Sequence, residues 1–578
     1  MSKTNLKVTE NLRTQIERAV KAAMDEGKLP AGELPGFVIE EPADRSHGDL
    51  ATNIAMAGAR TFRMAPVKAA QIILEHLNLE NSFIEKYEIA GPGFINFFLD
   101  KTYFAAVLQE IEREGEHYGE SDFGQGKKVM VEFVSANPTG PMHLGNARGG
   151  ALGDCLAAVM QKAGFQAYRE FYVNDAGNQI EKFAASLEAR YMQLFDESFP
   201  FPEDGYQGAD IIERAQQFKE NFGGSLTGVS PEERRKALVD FALPRNIRRM
   251  QEDMAKYKIN FDNWFMESTL HESGAVRKVV DTLTAKGLTY EKDGAIWYKN
   301  KDVCTEILLK KGKTQEEIDK LELKDDVLIR SNGNPTYFAA DIAYHKNKFD
   351  RGFEKLINVW GADHHGHVMR LKGAMDAVGY RGDDLDILLM QLVKLVRDGQ
   401  IVTMSKRTGK AIQLRDLLDE VPVDSARFIF NTREATTQMD FDLDLAIQQD
   451  SQNPVYYVQY AHARICSILR NLEAEGITAR TCTEDELCLL GAPEEVELIH
   501  LLSSFDSEII AAARDYDPTK ITRYVTNVAT CFHKFYNACR VKCSDEKLMQ
   551  ARLSLCIAAK TVIKNVLEMF CITCPDRM

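Results

Sequence analysis

Residues 128–154, KVMVEFVSANPTGPMHLGNARGGALGD, combine a strand, a turn and the start of a helix in one short stretch. The run 128–135 is almost continuously apolar, which is typical of a strand buried on both faces. The turn NPTGP follows, then a helical pattern to about residue 163, and then a second strand at 165–175. Strand, turn, helix and strand form the unit of a parallel doubly wound sheet. The stretch therefore predicts an α/β, Rossmann-like domain.

The turn and helix start at 137–146, NPTGPMHLGN, have the features of an anion-binding site. The first turn of a helix offers free N–H groups and the positive end of the helix dipole. His143 and Asn146 are three residues apart and can donate hydrogen bonds on one face, while Gly145 has no Cβ to keep a flat base away. Neither GxxxxGK nor GxGxxG is present here. Taken alone, the pattern fits a polar helix cap as well as a phosphate site.

A second stretch, VTMSKRTGK at 402–410, favours the phosphate site over the polar helix cap. It places Met404, Ser405 and Lys406 in a loop that also contains glycine. A lysine beside small hydroxyl residues can close over a phosphate and neutralise its charge. The two stretches together favour nucleotide binding over a simple helix cap.

The composition is that of a soluble globular protein of several domains. The chain has 578 residues, of which 44% are apolar and 27% charged, and single cores stop growing near ~250–300 residues. The net charge of −15 argues against non-specific coating of nucleic acid but not against a specific RNA partner. We find no signal peptide and no run of ~18–20 apolar residues, so we expect a cytoplasmic protein with no membrane segment. A monomer is expected.

Three regions follow one another along the chain. Residues 1–120 read as a small α/β unit that begins with an amphipathic helix at 4–26 and includes a strand FVIEEP. Residues 121–452 hold the Rossmann-like pattern, with long charged helices at 180–300 that look like an insertion. Strand patterns occur again at DVLIRS, KLINVW and DILLMQLVKLV. Residues 453–578 have only helical patterns.

Several sequence blocks resemble one known family. HLGN resembles the HIGH signature of class I aminoacyl-tRNA synthetases, and TMSKR resembles their KMSKS loop. At a finer level, VEFVSANPTGPMHLGNARGGALGD, YVNDAGNQI, NPTYFAADIAYH, VWGADHHGH and NPVYYVQYAHAR are similar to arginyl-tRNA synthetases of the bacterial type. The similarity spans almost the whole chain and includes HGDLATN in the first region. Two positions depart from the family pattern, since Asn146 replaces the second signature histidine and Thr403 the first signature lysine.

The resemblance implies ATP-dependent ligation of L-arginine to tRNA(Arg) through an arginyl-adenylate, with Mg²⁺ arriving on ATP and no structural metal. Neither step needs an enzyme nucleophile, because positioning and charge stabilisation supply the catalysis. By resemblance, the catalytic residues are His143, Asn146, Ser405 and Lys406. The ATP contacts that it implies are His143, Gly145, Asn146, Gly361, Asp363, His364, Met404 and Lys406.

The stretch TYFAADIAYH offers a partner for a guanidinium group, which needs a carboxylate and a flat surface. Tyr337 and Asp341 are four residues apart and share one helix face. On spacing alone, an ordinary half-buried helix face is the simpler interpretation. The resemblance implies that both contact the substrate guanidinium, with Glu132 as a second carboxylate and Asn137 at the α-amino or carboxylate end of arginine.

The block VWGADHHGH contains His364, His365 and His367, a set that also fits metal binding. It follows a strand at the carboxyl edge of the expected sheet, where ligands bind in such folds. The resemblance assigns the block to the nucleotide ribose and substrate, with Asp363 and His364 in contact and the other two histidines structural. The pair Cys571 and Cys574 has metal or redox spacing, but reduced core or tail cysteines are favoured among the 11.

The tRNA is expected to touch the two outer regions. Tyr456, Tyr460 and Arg464 lie at helical spacing, and the resemblance places them in the anticodon-binding helices, where aromatic rings stack on bases. A core role for these tyrosines fits the spacing nearly as well.

Two alternatives compete with the assignment to the arginyl-tRNA synthetases. A cysteinyl-type synthetase needs a zinc site, but 121–452 contains only Cys155 and Cys304. A catalytically silent tRNA-binding paralogue should have lost the phosphate-handling residues.

Overall fold

The structure is a computed structural model that describes residues 3–42, 44–80, 82–402 and 412–578. The predicted loop residues Met404, Ser405 and Lys406, together with Thr403, lie outside the described residues. Within the described ranges, no helix combines the length and the apolarity that a membrane crossing requires.

The N-terminal region packs helices on a small antiparallel sheet. Its first helix buries Val8, Leu12, Ile16 and Val20, and their spacing of four residues gives the helix one apolar face. The predicted helix at 4–26 is thus confirmed, while the strand FVIEEP is reduced to two residues. The sheet order is β1-β2-β4-β3, and the elements are α1 Lys3–Asp25, β1 Ile39–Glu40, β2 Leu50–Thr52, α2 Ile54–Ala57, α3 Ala59–Phe62, α4 Pro66–Glu75, β3 Ile84–Ala90, β4 Phe94–Leu99 and α5 Lys101–Glu114.

The central region alternates strands and helices as its sequence predicts. In chain order its elements are β5 Lys128–Glu132, α6 Leu144–Lys162, β6 Gln166–Val173, α7 Asn178–Gln193, α8 Ala209–Phe222, α9 Pro231–Lys256, β7 Asn263–Met266, α10 Ser268–Glu272, α11 Ala275–Ala285, β8 Thr289–Lys292, β9 Ala295–Tyr298, α12 Asn300–Lys310, α13 Gln315–Asp319, β10 Asp326–Ile329, α14 Tyr337–Asp350, β11 Lys355–Gly361, α15 His365–Val378, β12 Leu385–Met390, β13 Val393–Arg397, β14 Gln400–Val402, α16 Leu414–Glu420, α17 Val423–Phe430, β15 Met439–Asp442 and α18 Leu443–Ile447.

Five parallel strands form the main sheet, in the order β12-β11-β5-β6-β7. The chain builds one side of the sheet outward from β5 and then crosses to β11 on the other side. The order therefore reverses between β5 and β11, and ligands of such sheets bind outside the carboxyl ends of the strands at this switch point. The predicted Rossmann-like fold is confirmed, and the switch point fixes where its site lies.

Three stretches of the central region depart from the sequence prediction. The interval 180–300 is not purely helical, because β7 returns to the edge of the main sheet and β8 and β9 form a hairpin. Asp293 and Gly294 make the tight turn of that hairpin with positive φ angles of 53° and 73°, a turn that Asp-Gly favours. The stretch DVLIRS (β10) joins this hairpin rather than the main sheet. DILLMQLVKLV splits into β12 and β13, and β13 pairs with β14 and β15.

The C-terminal region is all-helical, as predicted. Its long helices bury apolar faces against one another, and α5 of the N-terminal region packs against α21 and α24. A single cluster of buried apolar side chains continues from α1 through α6 to α24. The helices are α19 Pro454–Ala474, α20 Glu484–Leu487, α21 Pro493–Ser503, α22 Phe505–Asp515, α23 Thr519–Ala538 and α24 Glu546–Met569.

Candidate active site

A cavity of about 570 Å³ opens at the carboxyl ends of β5 and β11. The start of α6 and the first turns of α14 complete its wall. This is the switch point of the main sheet, so the fold brings together segments that lie more than 200 residues apart in sequence. Eight of the residues predicted from the sequence line the wall: Glu132, Asn137, His143, Asn146, Tyr337, Asp341, Gly361 and His364.

The chain leaves β5 through a strained turn. Val134 and Ser135 have φ angles of 70° and 42°, a region that non-glycine residues rarely adopt. The N–H of Ser135 donates to the carbonyl of Phe133 at 3.0 Å, which closes a three-residue turn. The Ser135 hydroxyl donates to Glu132 at 2.8 Å and accepts from the N–H of Tyr172 at 3.2 Å. These bonds hold the strain in place and aim the following segment across the cavity.

His143 and Asn146 form a capping box at the start of α6. Asn146 Oδ1 accepts from the N–H of His143 at 2.9 Å, and His143 Nδ1 accepts from the N–H of Gly145 at 3.1 Å. Because Nδ1 is an acceptor, the hydrogen of the neutral ring is on Nε2. Burial lowers the pKa of His143, which keeps the ring neutral at neutral pH. Both side chains therefore keep an N–H donor, Nε2–H and the Asn146 amide, for an anion in the cavity.

Gly145 lies behind the ring of His143. A Cβ at this position would come within 3.0 Å of His143 Cε1 and 3.2 Å of Nδ1. The glycine thus lets the histidine ring fold back onto the helix start. This contact gives a structural reason for the glycine in addition to the predicted approach of a base.

Asp341 is buried at the bottom of the cavity, with 4% of its surface exposed. His367 Nε2 donates to its Oδ2 at 2.8 Å, and Arg370 donates to Nδ1 of the same histidine at 3.0 Å. Arg370 is itself paired with Asp326. The arginine fixes the tautomer of His367, so that its Nε2–H faces the carboxylate. Burial raises the pKa of Asp341, and the bond from His367 works against that rise.

Tyr337 stands at the start of α14, one helical turn before Asp341. The charge of Asp341, followed by burial, raises the pKa of Tyr337 and keeps its phenol protonated. The residue as a whole is 53% exposed, so one face of the ring borders open space at the cavity. Its ring centre is 6.2 Å from that of His367. A flat surface and a buried carboxylate thus lie side by side, as the spacing of the two residues predicts.

Glu132 is the second carboxylate of the cavity, but it already has a cationic partner. Lys348 Nζ lies 2.5 Å from Glu132 Oε2 and 3.0 Å from Asn358 Oδ1, and its side chain is fully buried. Asn358 in turn donates to His345 Nε2. A paired carboxylate attracts a further cation less strongly than an unpaired one. Asp341, bound only by a histidine, is the stronger site for a guanidinium.

The end of β11 contributes the opposite wall. Gly361 and His364 line the cavity beside Trp360, whose ring centre is 5.8 Å from that of His364. Asp363 is exposed, and its carboxylate is 3.7 Å from His364 Nε2. The structure therefore brings Gly361 and His364 to the cavity wall, whereas Asp363 is not among the residues that line it. His365 begins α15, and His367 has the structural role described above.

The predicted tRNA residues lie on α19. Arg464 Nη1 is 3.3 Å from the hydroxyl of Tyr460, and its guanidinium carbon is 4.5 Å from the ring centre of Tyr536. Tyr460 is 38% exposed and lies 6.0 Å from His533, while Tyr456 is half-buried one turn earlier. The cluster thus combines an exposed tyrosine with half-buried aromatic rings and a half-buried arginine, and aromatic rings and arginines are the groups that stack on unpaired bases.

The cysteines supply little metal chemistry in the described part of the chain. All 11 are free thiols, with Cys571 exposed and Cys574 half-buried. One group of metal-ligand type is present, in which atoms of His462, Cys466 and Asp576 lie within 4.8 Å of one another. In the structure these atoms hydrogen-bond to each other and to the C-terminal segment. They tie that segment to α19.

Ser135 lines the cavity, and Lys348 and His367 bind its two carboxylates, although no sequence motif marks Ser135 or Lys348 as functional. The only local signal for Ser135 is its place directly after an apolar strand. Lys348 acts on Glu132 across 216 residues of sequence, and His367 acts on Asp341 across 26. Such pairs depend on the register of β5, β11 and α14, which spacing within one segment cannot reveal.

A parallel sheet with this switch point, a capped histidine in place of a Walker loop and a helical C-terminal region define a class I aminoacyl-tRNA synthetase. The family model described as "tRNA synthetases class I (R), catalytic domain" matches residues 107–467. The models "Arginyl tRNA synthetase N terminal domain" and "DALR anticodon binding domain" match residues 10–99 and 458–578. The chain belongs to the arginyl-tRNA synthetase family, which confirms the resemblance and excludes the cysteinyl-type alternative.

Individual relatives agree with this assignment. The chain is 53% identical to the arginine–tRNA ligase of Caldanaerobacter subterraneus subsp. tengcongensis over 99% of both proteins. It is 51% identical to that of Acetivibrio thermocellus over 99% of this chain and 100% of the relative. Among solved structures, Thermus thermophilus arginyl-tRNA synthetase shares the fold at a TM-score of 0.71 and 22% identity, over 98% of this chain and 100% of the other.

Proposed function

We propose that this cavity charges tRNA(Arg) with L-arginine in two ATP-dependent steps. The carboxylate of arginine attacks the α-phosphate of ATP and releases pyrophosphate. A hydroxyl of the terminal adenosine of tRNA then attacks the arginyl-adenylate and releases AMP. The observation that carries the proposal is the buried Asp341 carboxylate beside Tyr337, at the bottom of a cavity that a phosphate-type helix cap borders.

Arginine enters with its guanidinium towards Asp341. Charge-assisted hydrogen bonds from the guanidinium to the carboxylate replace the hydrogen bonds to water that the buried carboxylate lacks. The ring of Tyr337 packs on the planar group. Asn137, exposed on the turn after β5, receives the α-amino or carboxylate end of the substrate. Glu132, held by Lys348, adds a second negative group without becoming the main partner.

His143 and Asn146 hold the phosphates of ATP through the two N–H donors that the capping box leaves available, and Gly145 lets the nucleotide approach the start of α6. Gly361 and His364 face the ribose side, and Asp363 lies between them in sequence. Mg²⁺ enters with ATP as part of the substrate. Lys406, with Ser405 and Met404 beside it in sequence, meets the charge that grows as pyrophosphate leaves.

The outer regions bind the tRNA. Residues 1–120 contact the body of the tRNA, residues 121–452 carry the reaction, and residues 453–578 hold the anticodon through Tyr456, Tyr460 and Arg464. The enzyme acts as a monomer in the cytoplasm.

The test is charging of total tRNA with each of the twenty amino acids, in wild type and in His143→Ala. We expect arginine alone to be attached, and we expect the variant to lose about 10²–10³ in kcat, as when one charge-stabilising donor is removed. Charging with another amino acid, or full activity of the variant, contradicts the proposal.

A further inference from the structure

Five arginines from three helices line a depression of about 440 Å³ beside the active site. Arg245, Arg248 and Arg249 lie on α9 with spacings of three and four residues, so they share one helix face. Arg214 comes from α8 and Arg415 from α16. We call these five residues the arginine patch.

Three of the five arginines have no ionic partner among the described residues. Arg245, Arg248 and Arg249 form no ion pair within 4.0 Å in the ranges the structure describes, and Nε of Arg249 is buried there with no hydrogen-bond partner. Burial lowers the pKa of Arg214, the nearby Glu213 carboxylate works against that decrease, and repulsion from Arg249 and Arg245 adds to it.

The neighbouring carboxylates balance one arginine of the patch, Arg415. Asp253 and Glu252 pair with Arg415 at 2.5 Å and 3.9 Å. Glu213 accepts a hydrogen bond from Gln217 at 3.0 Å. Arg245, Arg248 and Arg249 therefore have N–H donors to offer to an external anion.

The patch is joined to the turn that forms the wall of the active-site cavity. Asn246, between Arg245 and Arg248 on α9, donates its amide N–H to the carbonyl of Pro138 at 2.9 Å. A Cβ on Gly140 would lie 3.7 Å from Asp210 on α8. Residues 137–141 thus lie between the patch and the cavity, and a polymer that rests on the patch can reach the reacting atoms.

We propose that the arginine patch binds the sugar–phosphate backbone of the tRNA near its 3′ end. Guanidinium forks match phosphate geometry, and several spaced forks suit a backbone better than a single small anion. The phosphates of ATP already have donors inside the cavity, at the start of α6. The inference rests on the proposed function, because it takes tRNA as the substrate that must deliver its end to this cavity.

The test compares Arg248→Glu with a matched control, Arg277→Glu. Arg248 and Arg277 are both exposed, and Arg277 is on α11, away from the patch. The Kd of tRNA(Arg) is measured by fluorescence anisotropy from 0.05 to 0.4 M salt. One lost phosphate contact reduces the slope of log K against log salt by about one, which corresponds to a Kd increase on the order of tenfold at ~0.1 M salt. Arg248→Lys should keep most of the affinity, and the control should match wild type.

Three outcomes decide the inference. An increased Kd with a reduced slope in Arg248→Glu alone supports it. An unchanged Kd and slope overturn it, and so does an increased KM for ATP with unchanged tRNA binding, which would make the patch a nucleotide site. If wild type charged no tRNA with arginine, the proposed function itself would fail, and this is measured separately in the wild-type protein.

Discussion

Asp341 combines two properties that oppose each other in the free protein. Its carboxylate is buried, which raises its pKa above the usual 3.8, while His367 donates a hydrogen bond that favours the ionised form. A buried charge that awaits its partner destabilises the free protein and binds the cationic substrate strongly. The property of Asp341 that favours substrate binding is therefore expected to reduce the stability of the free protein.

Asp341→Asn should stabilise the free protein increasingly as pH rises. The folded state holds the Asp341 proton more tightly than the unfolded chain. The stability from this group is therefore fully present below about pH 3.8 and is lost as pH rises through the raised folded pKa. Asparagine has no such dependence. Melting temperatures of both proteins between pH 4 and 8 test this expectation, and a difference that stays constant with pH contradicts it.

His367→Ala should lower kcat/KM for arginine by roughly 10–100-fold, the usual cost of a lost hydrogen bond to a charged group of about 1.5–3 kcal/mol. Without the bond, the pKa of Asp341 rises further, so the decline of kcat/KM at low pH should begin at a higher pH than in wild type. His367→Gln, which restores an N–H donor, should recover part of the loss. Equal pH profiles in wild type and His367→Ala would remove the histidine from this role.

At the scale of elements, the unit from β5 to α6 follows from its own sequence. Its apolar strand, proline- and glycine-containing turn and capped helix all agree with the structure. Elements whose partners are remote were less predictable. The run NWFM (β7) is too short to distinguish a strand from buried helix, and β10 and β13 look like strands of the main sheet although they pair elsewhere. Pairing is a tertiary choice that local pattern does not determine.

Two variants at Asn146 separate its role in capping from its role in phosphate binding. Asn146→Ala removes both the acceptor for the His143 N–H and the amide donor. We expect this variant to lose about 1 kcal/mol of unfolding free energy and also its charging activity. Asn146→Asp keeps the acceptor at a helix start that favours negative charge, so its stability should match wild type. Its kcat should still decrease by about 10²–10³, because the donor is gone. Thermal melting and charging assays are compared, and an active Asn146→Asp enzyme would limit the residue to capping.

At the scale of the whole molecule, one buried arginine joins the central region to the C-terminal region. Arg427 on α17 is fully buried and pairs with Asp154 on α6. It also donates to the carbonyls of Phe570 at 2.7 Å and Tyr257 at 3.1 Å. The order of the three regions was predictable from fading strand signals, but this junction was not, because it joins residues up to 273 positions apart.

Arg427→Met should destabilise the protein by about 3–5 kcal/mol, the usual result of removing one partner of a buried ion pair. The exposed Arg433, replaced by methionine in the same way, serves as the control and should change stability little. The first transition in urea unfolding reports the effect. Similar midpoints for the two variants would show that Arg427 does not hold the central and C-terminal regions together.

Recognition of arginine through Asp341 is the central claim, and one comparison tests it directly. Citrulline has nearly the shape of arginine but no charge, so a buried carboxylate should reject it by roughly 10³-fold or more. We measure kcat/KM for both amino acids with saturating tRNA and ATP, in wild type and in Asp341→Asn. The account predicts that the variant loses most of its activity with arginine and that the arginine-to-citrulline ratio becomes much smaller. A ratio equal to that of wild type would contradict the claim and make Glu132 the leading candidate for the guanidinium partner.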